Sequence, residues 1–123
     1  MIIIENINYI GITVSDLDGS IKFYKDLFDF EVVDKLSSTG LAYMKMGDMI
    51  IALYEVEEYK NQDGSKVCLS FFVDEEDFDD ALDEIEAAEI EIVHGPEHIR
   101  NGQTVVFLDP DGNQIELSYP KIV

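Results

Sequence analysis

The sequence predicts an α+β fold built from two βαβββ modules, on three observations. The elements run as strand, helix and three strands, and the same order then returns. The second run also lies over the first by position, with Tyr9 falling on Cys68, Val14 on Val73 and Ala52 on Glu116. Finally, 123 residues with 46% apolar and 11% aromatic side chains suit one packed domain. The boundaries read as a single domain over 1–123, with module 1 at about 5–56 and module 2 at about 66–120. With only two copies the product is a pseudo-two-fold domain, because a solenoid needs about three repeats to bury its faces.

Ile7 to Val14 alternates as a strand, placing Ile10, Ile12 and Val14 on one face and Tyr9, Gly11 and Thr13 on the other. Ser15-Asp16-Leu17-Asp18 reads as a capping box with Ser15 as N-cap. Leu17, Ile21, Tyr24 and Phe28 then recur at helical spacing. Strands follow at Glu31 to Leu36, Leu41 to Met46 and Met49 to Glu55, separated by the turn signals Ser38-Thr39-Gly40 and Gly47-Asp48.

After a polar loop, Glu57 to Ser65, Lys66 to Val73 alternates as the next strand. Phe78, Ala81, Leu82, Ile85 and Ala88 mark the apolar face of a second helix. Its other face is acidic and reads as solvated, including Asp79, Asp83 and Glu86. Strands Glu89 to Val93, Thr104 to Leu108 and Gln114 to Tyr119 complete the second module, and His94 and His98 fall in a loop near Gly95-Pro96. Asp109-Pro110-Asp111-Gly112-Asn113 is a turn, because Pro fixes its own φ and Gly accepts a positive one.

A net charge of −19 repels phosphate backbones and anionic lipid, so no nucleic-acid or membrane partner is expected. The opening Met1-Ile2-Ile3-Ile4-Glu5 has no basic region and too short an apolar run for a signal peptide or a span, and a cytoplasmic location is expected. The lone Cys68 cannot form an internal disulfide, in keeping with a reducing compartment.

Tyr9-Ile10-Gly11-Ile12-Thr13-Val14-Ser15-Asp16-Leu17, Ser20-Ile21-Lys22-Phe23-Tyr24 and Phe107-Leu108-Asp109-Pro110-Asp111-Gly112-Asn113-Gln114-Ile115-Glu116-Leu117 together resemble the glyoxalase, bleomycin-resistance and dioxygenase superfamily. The resemblance spans nearly the whole chain and implies the vicinal oxygen chelate fold: two βαβββ modules paired into a half-barrel cup that holds the ligand. It also implies a homodimer.

The family's metal enzymes take ligands from the first, fourth, fifth and last strands, which places them at Tyr9, Ala52, Cys68 and Glu116. The glyoxalase pattern has His, Glu or Gln, His and Glu there, and only Glu116 matches. Transition metals of this kind want three or four protein ligands, so no cofactor is expected, with a zinc- or nickel-type ion as the alternative.

Without a metal, binding is the leading function: a small cationic or aromatic molecule, as in bleomycin-resistance proteins, held by cation–π contact and carboxylate pairing. The expected lining is Tyr9, Thr13, Ile50, Ala52, Tyr54, Cys68, Ser70, Phe72 and Glu116. The rival is a glyoxalase-like lyase or isomerase in which Glu116, its pKa raised by burial, is the general base and Cys68 or Tyr9 the acid or nucleophile. The plainer readings make Cys68 a small buried hydrophobe and Tyr9 a packed aromatic with its hydroxyl satisfied.

Overall fold

Alternation over Ile10–Val14 produces the first strand, β1, in the computed structural model, which describes residues 1–56 and 68–122. The chain divides into two compact units, Met1–Lys60 and Asn61–Val123, each with its own sheet. In the first unit β1 is followed by helix α1 (Leu17–Phe28), β2 (Glu31–Leu36), a short 3-10 turn (Ser37–Thr39), β3 (Leu41–Met46) and β4 (Met49–Glu55). The sheet order is β1-β4-β3-β2, with β1 parallel to β4 and the other pairs antiparallel.

One face of this sheet is the core. Ile12, Val14, Ala42, Met44, Ile51 and Leu53 are all buried there, and α1 contributes Leu17, Ser20 and Tyr24 to the interior. Tyr24 stacks on Phe30 at 6.2 Å between centroids, and Phe28 on Phe30 at 5.1 Å, so the helix end is closed by an aromatic group.

The helix start differs from the sequence expectation by one residue. Asp16, not Ser15, is the N-cap, its carboxylate accepting from the Gly19 amide at 3.2 Å. Glu55 at the end of β4 accepts from the Leu17 amide at 2.7 Å, so two carboxylates meet the positive end of the helix.

The second unit repeats the plan with β5 (Cys68–Phe72), α2 (Glu75–Ala87), β6 (Ile92–Ile99), β7 (Gly102–Leu108) and β8 (Gln114–Tyr119), in sheet order β5-β8-β7-β6. β5 and β8 are parallel, as β1 and β4 are. The duplication holds at the level of register: Gly11 lies beside Ala52 in one sheet and Ser70 beside Glu116 in the other. Leu69, Val105, Phe107, Ile115 and Leu117 are buried, with Phe78 and Ile85 from α2. Asp79, Asp83 and Glu86 are exposed, as the acidic face predicts, while Ala88 ends the helix as an exposed C-cap.

One sequence expectation falls outside the described residues and one changes. The polar loop Glu57 to Ser65, with Lys66 and Val67, lies outside the described residues. β6 runs over Ile92–Ile99 rather than Glu89 to Val93, so His94 and His98 stand in a strand and not in a loop. Gly95 and Pro96 are absorbed as a bulge between His94 and Glu97. Gly95 sits at φ 81°, and a Cβ there would lie 2.6 Å from the Thr104 carbonyl oxygen, so only glycine fits.

Phe78 is 1% exposed and packs edge-on against Tyr119 at 5.3 Å. Phe78→Ala should therefore lower unfolding free energy by about 3 to 5 kcal/mol, whereas Asp80→Asn on the solvated side should change it by less than about 0.5 kcal/mol. Denaturant titration of both variants checks the contrast.

Candidate functional site

The sheet face opposite each core carries the residues with chemistry. In the first unit the strand period places Gly11 and Thr13 beside Ala52 and Tyr54, with Tyr43 next to Ala52 in register, and Tyr9 stands just before β1 rather than within it. The Tyr9 and Tyr54 hydroxyls are 2.9 Å apart, and the Tyr9 and Tyr43 rings meet edge-on at 5.5 Å. Tyr54 is pushed up to about 12 by its hydrogen bond with Tyr9, with further contributions from desolvation and from the neighbouring phenols. Gly11 makes this arrangement possible, because a Cβ there would stand 2.9 Å from the Tyr54 ring. Ala52 is fully buried and has no donor to offer.

In the second unit the corresponding face carries Cys68, Ser70 and Phe72 on β5 and Gln114, Glu116 and Ser118 on β8. Glu116 is the centre of this group. Ser70 Oγ donates to its Oε1 at 2.6 Å, and Thr104 Oγ1 on β7 donates to its Oε2 at 2.6 Å. Desolvation pushes the carboxyl up, but the two hydroxyls and the charges of Arg100 and His94 outweigh it, so Glu116 lies below the usual carboxylate range. This reverses the expectation of a raised pKa, and with it the premise of a general base poised for proton transfer. The sequence reading looked at burial and could not see the donors.

Cys68 also departs from its expected role. It is exposed rather than a buried hydrophobe, and desolvation together with the Glu116 charge pushes its thiol up, against a smaller opposing backbone hydrogen bond. A thiol held protonated is a poor nucleophile. Phe72, 47% exposed, lies under the Lys121 ammonium at 5.6 Å from the ring centroid.

Sequence reasoning missed Thr104, His94 and Arg100. His94 lies opposite Val106, the β7 neighbour of Glu116, and its Nε2 is 2.5 Å from Glu97 Oε1. Period two along β7 would have put Thr104 on the same face as Val106, and that signal was available. The placement of His94 and Arg100 depends on where β6 ends, which the Gly95-Pro96 bulge conceals.

Among the described residues, no three of His, Cys, Asp and Glu gather as a metal cluster. The donors around Glu116 are one ionised carboxylate, two hydroxyls and a thiol pushed toward its neutral form. An oxygen-rich set with one carboxylate, both of whose oxygens already accept from hydroxyls, holds a hard divalent cation of the magnesium type only where substrate oxygens and water complete the shell. It fits zinc less well, since catalytic zinc takes three protein ligands.

Glu116 stabilises the fold in its ionised form. A carboxyl depressed below its unfolded value near 4.5 contributes stability above that pH and loses it as pH falls through the folded value. In chelated, metal-free protein, the difference in melting temperature between wild type and Glu116→Gln should be constant near neutral pH and shrink below about pH 4.5. Paired thermal melts across the acid range measure it.

Known proteins point to a metal. The chain is 33% identical over 117 residues to a metallothiol transferase FosB of Staphylococcus epidermidis, covering 93% of this chain and 81% of that one. It is 31% identical over 117 residues to a glutathione transferase FosA of Serratia marcescens, covering 93% and 80%. The crystal structure of the fosfomycin resistance protein FosX of Listeria monocytogenes, complexed with Mn(II) and sulfate, superposes with a TM-score of 0.85 at 20% identity, covering 98% and 94% of the two chains. The expectation that no cofactor is needed, with a metal only as the alternative, is overturned by these relatives: one is a metallothiol transferase by name, and another holds Mn(II). The expectation weighed the donor set chiefly against zinc-, iron- and nickel-type ligation by protein side chains alone. Residues 6–117 match the family model of the Glyoxalase/Bleomycin resistance protein/Dioxygenase superfamily, and the chain belongs to that superfamily.

Proposed function

We propose that this chain modifies a small molecule at a divalent-cation centre anchored by Glu116: a thiol supplied from solution bonds through sulfur to a substrate carbon as that carbon's bond to oxygen breaks, and the thiol's proton ends on that oxygen. The observation that carries this is the Glu116 carboxylate itself, ionised and tied at both oxygens by Ser70 and Thr104. Two of the relatives are thiol transferases by name and cover 93% of the chain. Cys68 is unsuited to be the transferred thiol because its proton is held on, so the thiol comes from a second substrate. When bound, the cation supplies a Lewis acid that polarises a substrate oxygen. Glu116 fixes where it sits, and Ser70 and Thr104 fix Glu116.

The test uses Mn²⁺, glutathione and fosfomycin as probes. Mass spectrometry should detect a thiol adduct that depends on both protein and Mn²⁺, and Glu116→Gln should slow its formation by about a hundredfold or more. An adduct rate equal in the variant, or no adduct across a panel of thiols and small electrophiles, overturns the reading.

A second reading, the binding of a small cationic aromatic molecule without chemistry, is supported by the tyrosines of the first unit. Tyr9, Tyr43 and Tyr54 present ring faces and hydroxyls around the small Gly11 on a strongly acidic protein. A thermal-shift screen of such compounds without metal, repeated on Tyr9→Ala, separates the two. Stabilisation lost in Tyr9→Ala and retained in Glu116→Gln favours binding, and the reverse favours the cation centre.

We also propose a homodimer. β6 is exposed along its length and bares Ile92, Val93 and Ile99 at the edge of its sheet, an arrangement that a second copy can cover. Sedimentation in moderate salt, where the −19 charge is screened, should give the dimer mass, and a monomer at micromolar concentration counts against it.

A further inference from the structure

We propose that the second unit carries a binding site for a small amphipathic amine, in the cavity between the carboxyl end of α2 and the start of β6. Leu82, Asp83 and Glu86 of the helix, Ile90 after it, and Ile92 and Pro96 of the strand line a cavity of about 480 Å³. That volume lies within the range of small-molecule sites. Its walls are apolar except for the two carboxylates, which are exposed, and neither takes part in the ion pairs found among the described residues.

The internal duplication shows what the first unit places there. Val32 pairs with Met44 and Met44 with Ile51, while Ile92 pairs with Phe107 and Phe107 with Ile115. Ile51 and Ile115 match, since they immediately precede Ala52 and Glu116, the equivalent partners of Gly11 and Ser70. Register therefore sets Val32 against Ile92, and Phe30 against Ile90 just before them. Phe30 is 4% exposed and stacks on Tyr24 and Phe28, so the first unit closes this helix end with its own rings. In the second unit the smaller, half-buried Ile90 lines the cavity. The charge changes as well. The buried pairs Leu17 and Tyr24 in α1 and Phe78 and Ile85 in α2 share one spacing, which sets Lys25 against Glu86. Lys25 is basic in the last turn of α1, whereas α2 has no basic residue there, and Asp83 and Glu86 add to the negative end of its dipole. A ligand with an apolar body and an ammonium head brings to the second unit the bulk and the positive charge that Phe30 and Lys25 supply in the first.

Amide NMR titration of metal-free, full-length protein with phenethylammonium tests this, with phenethyl alcohol and phenylacetate as neutral and anionic counterparts. The ammonium should bind with a dissociation constant of about 1 mM or tighter and at least about fivefold more tightly than the alcohol, with phenylacetate weaker still. The amides of Leu82, Glu86, Ile90 and Ile92 should shift. Asp83→Asn combined with Glu86→Gln should cut the advantage of the ammonium over the alcohol to less than about twofold. Ile90→Phe should weaken both by about tenfold or more, and Tyr9→Ala neither. If Ile90→Phe melts early, Ile92→Lys takes its place under the same threshold for the ammonium. Binding weaker than about 1 mM, or equal binding of ammonium and phenylacetate, overturns the site. Shifts confined to Tyr9, Tyr43 and Tyr54 and lost in Tyr9→Ala also overturn it, and assign the ligand to the phenols of the first unit. An Ile90→Phe variant that sediments as a monomer where wild type is a dimer shows that a second copy covers the cavity, and the site falls. No arm uses a metal or Glu116, so the outcome is independent of the cation centre.

Discussion

The parallel pairing of the first and last strands of each unit fixes which side chains become neighbours. Parallel strands cannot be joined by a tight turn, so the helix and two intervening strands must carry the chain around before the last strand returns beside the first. β4 then lies between β1 and β3, and β8 between β5 and β7. A residue at the middle of β8 consequently meets side chains from two strands far apart in sequence. Glu116 is bonded to Ser70, 46 positions before it, and to Thr104, 12 positions before it, for this reason. A one-residue slip in either ladder would turn the carboxylate into the core.

The same geometry gives the two units different surfaces from one plan. In the first, Gly11 and Ala52 are small, and the space above Gly11 is taken by the Tyr54 ring, with Tyr9 and Tyr43 alongside. In the second, Ser70 and Glu116 occupy the equivalent pair, and the surface is polar. Duplication preserves the cores, where burial constrains volume. The opposite faces carry no such constraint, and they have diverged into a phenol cluster and a carboxylate centre.

Much of this was legible in the sequence, because period and turn chemistry are local. The β2, β3, β4 and β8 spans follow from alternation bounded by Gly-containing turns, and the register offset of the repeat was readable from Tyr9 over Cys68 and Ala52 over Glu116. What failed was non-local or was masked by unusual backbone. β6 begins late and runs through Gly95-Pro96, residues that read as a loop, so His94 was set aside although its charge reaches Glu116. The N-cap moved from Ser15 to Asp16 because the helix begins one residue later than the capping-box reading required, where Glu55 from a distant strand meets the Leu17 amide. The direction of the Glu116 shift depends on donors from two other strands, and although the period put Ser70 and Thr104 on the right faces, their bonds to the carboxylate follow from non-local register.

The charge of the whole chain sharpens the meaning of that shift. With 27 acidic against 8 basic residues, the average field raises carboxyl pKa values, and a buried carboxyl should be raised further. Glu116, only partly buried, goes the other way because two hydroxyls donate to it at 2.6 Å and the charges of Arg100 and His94 add to them, outweighing distant, screened charge. Donors that favour the ionised form leave the carboxylate with unused lone pairs and a full negative charge. Such a group is poor at carrying a proton and well suited to holding a cation. A hard cation tolerates oxygen donors and retained water, so the replacement of histidine-type positions by Tyr9 and Cys68 argues against a soft transition-metal site more than against metal as such. Of the four positions at which the glyoxalase pattern has ligands, Glu116 is the one this chain keeps, and its two hydroxyl donors hold it ionised.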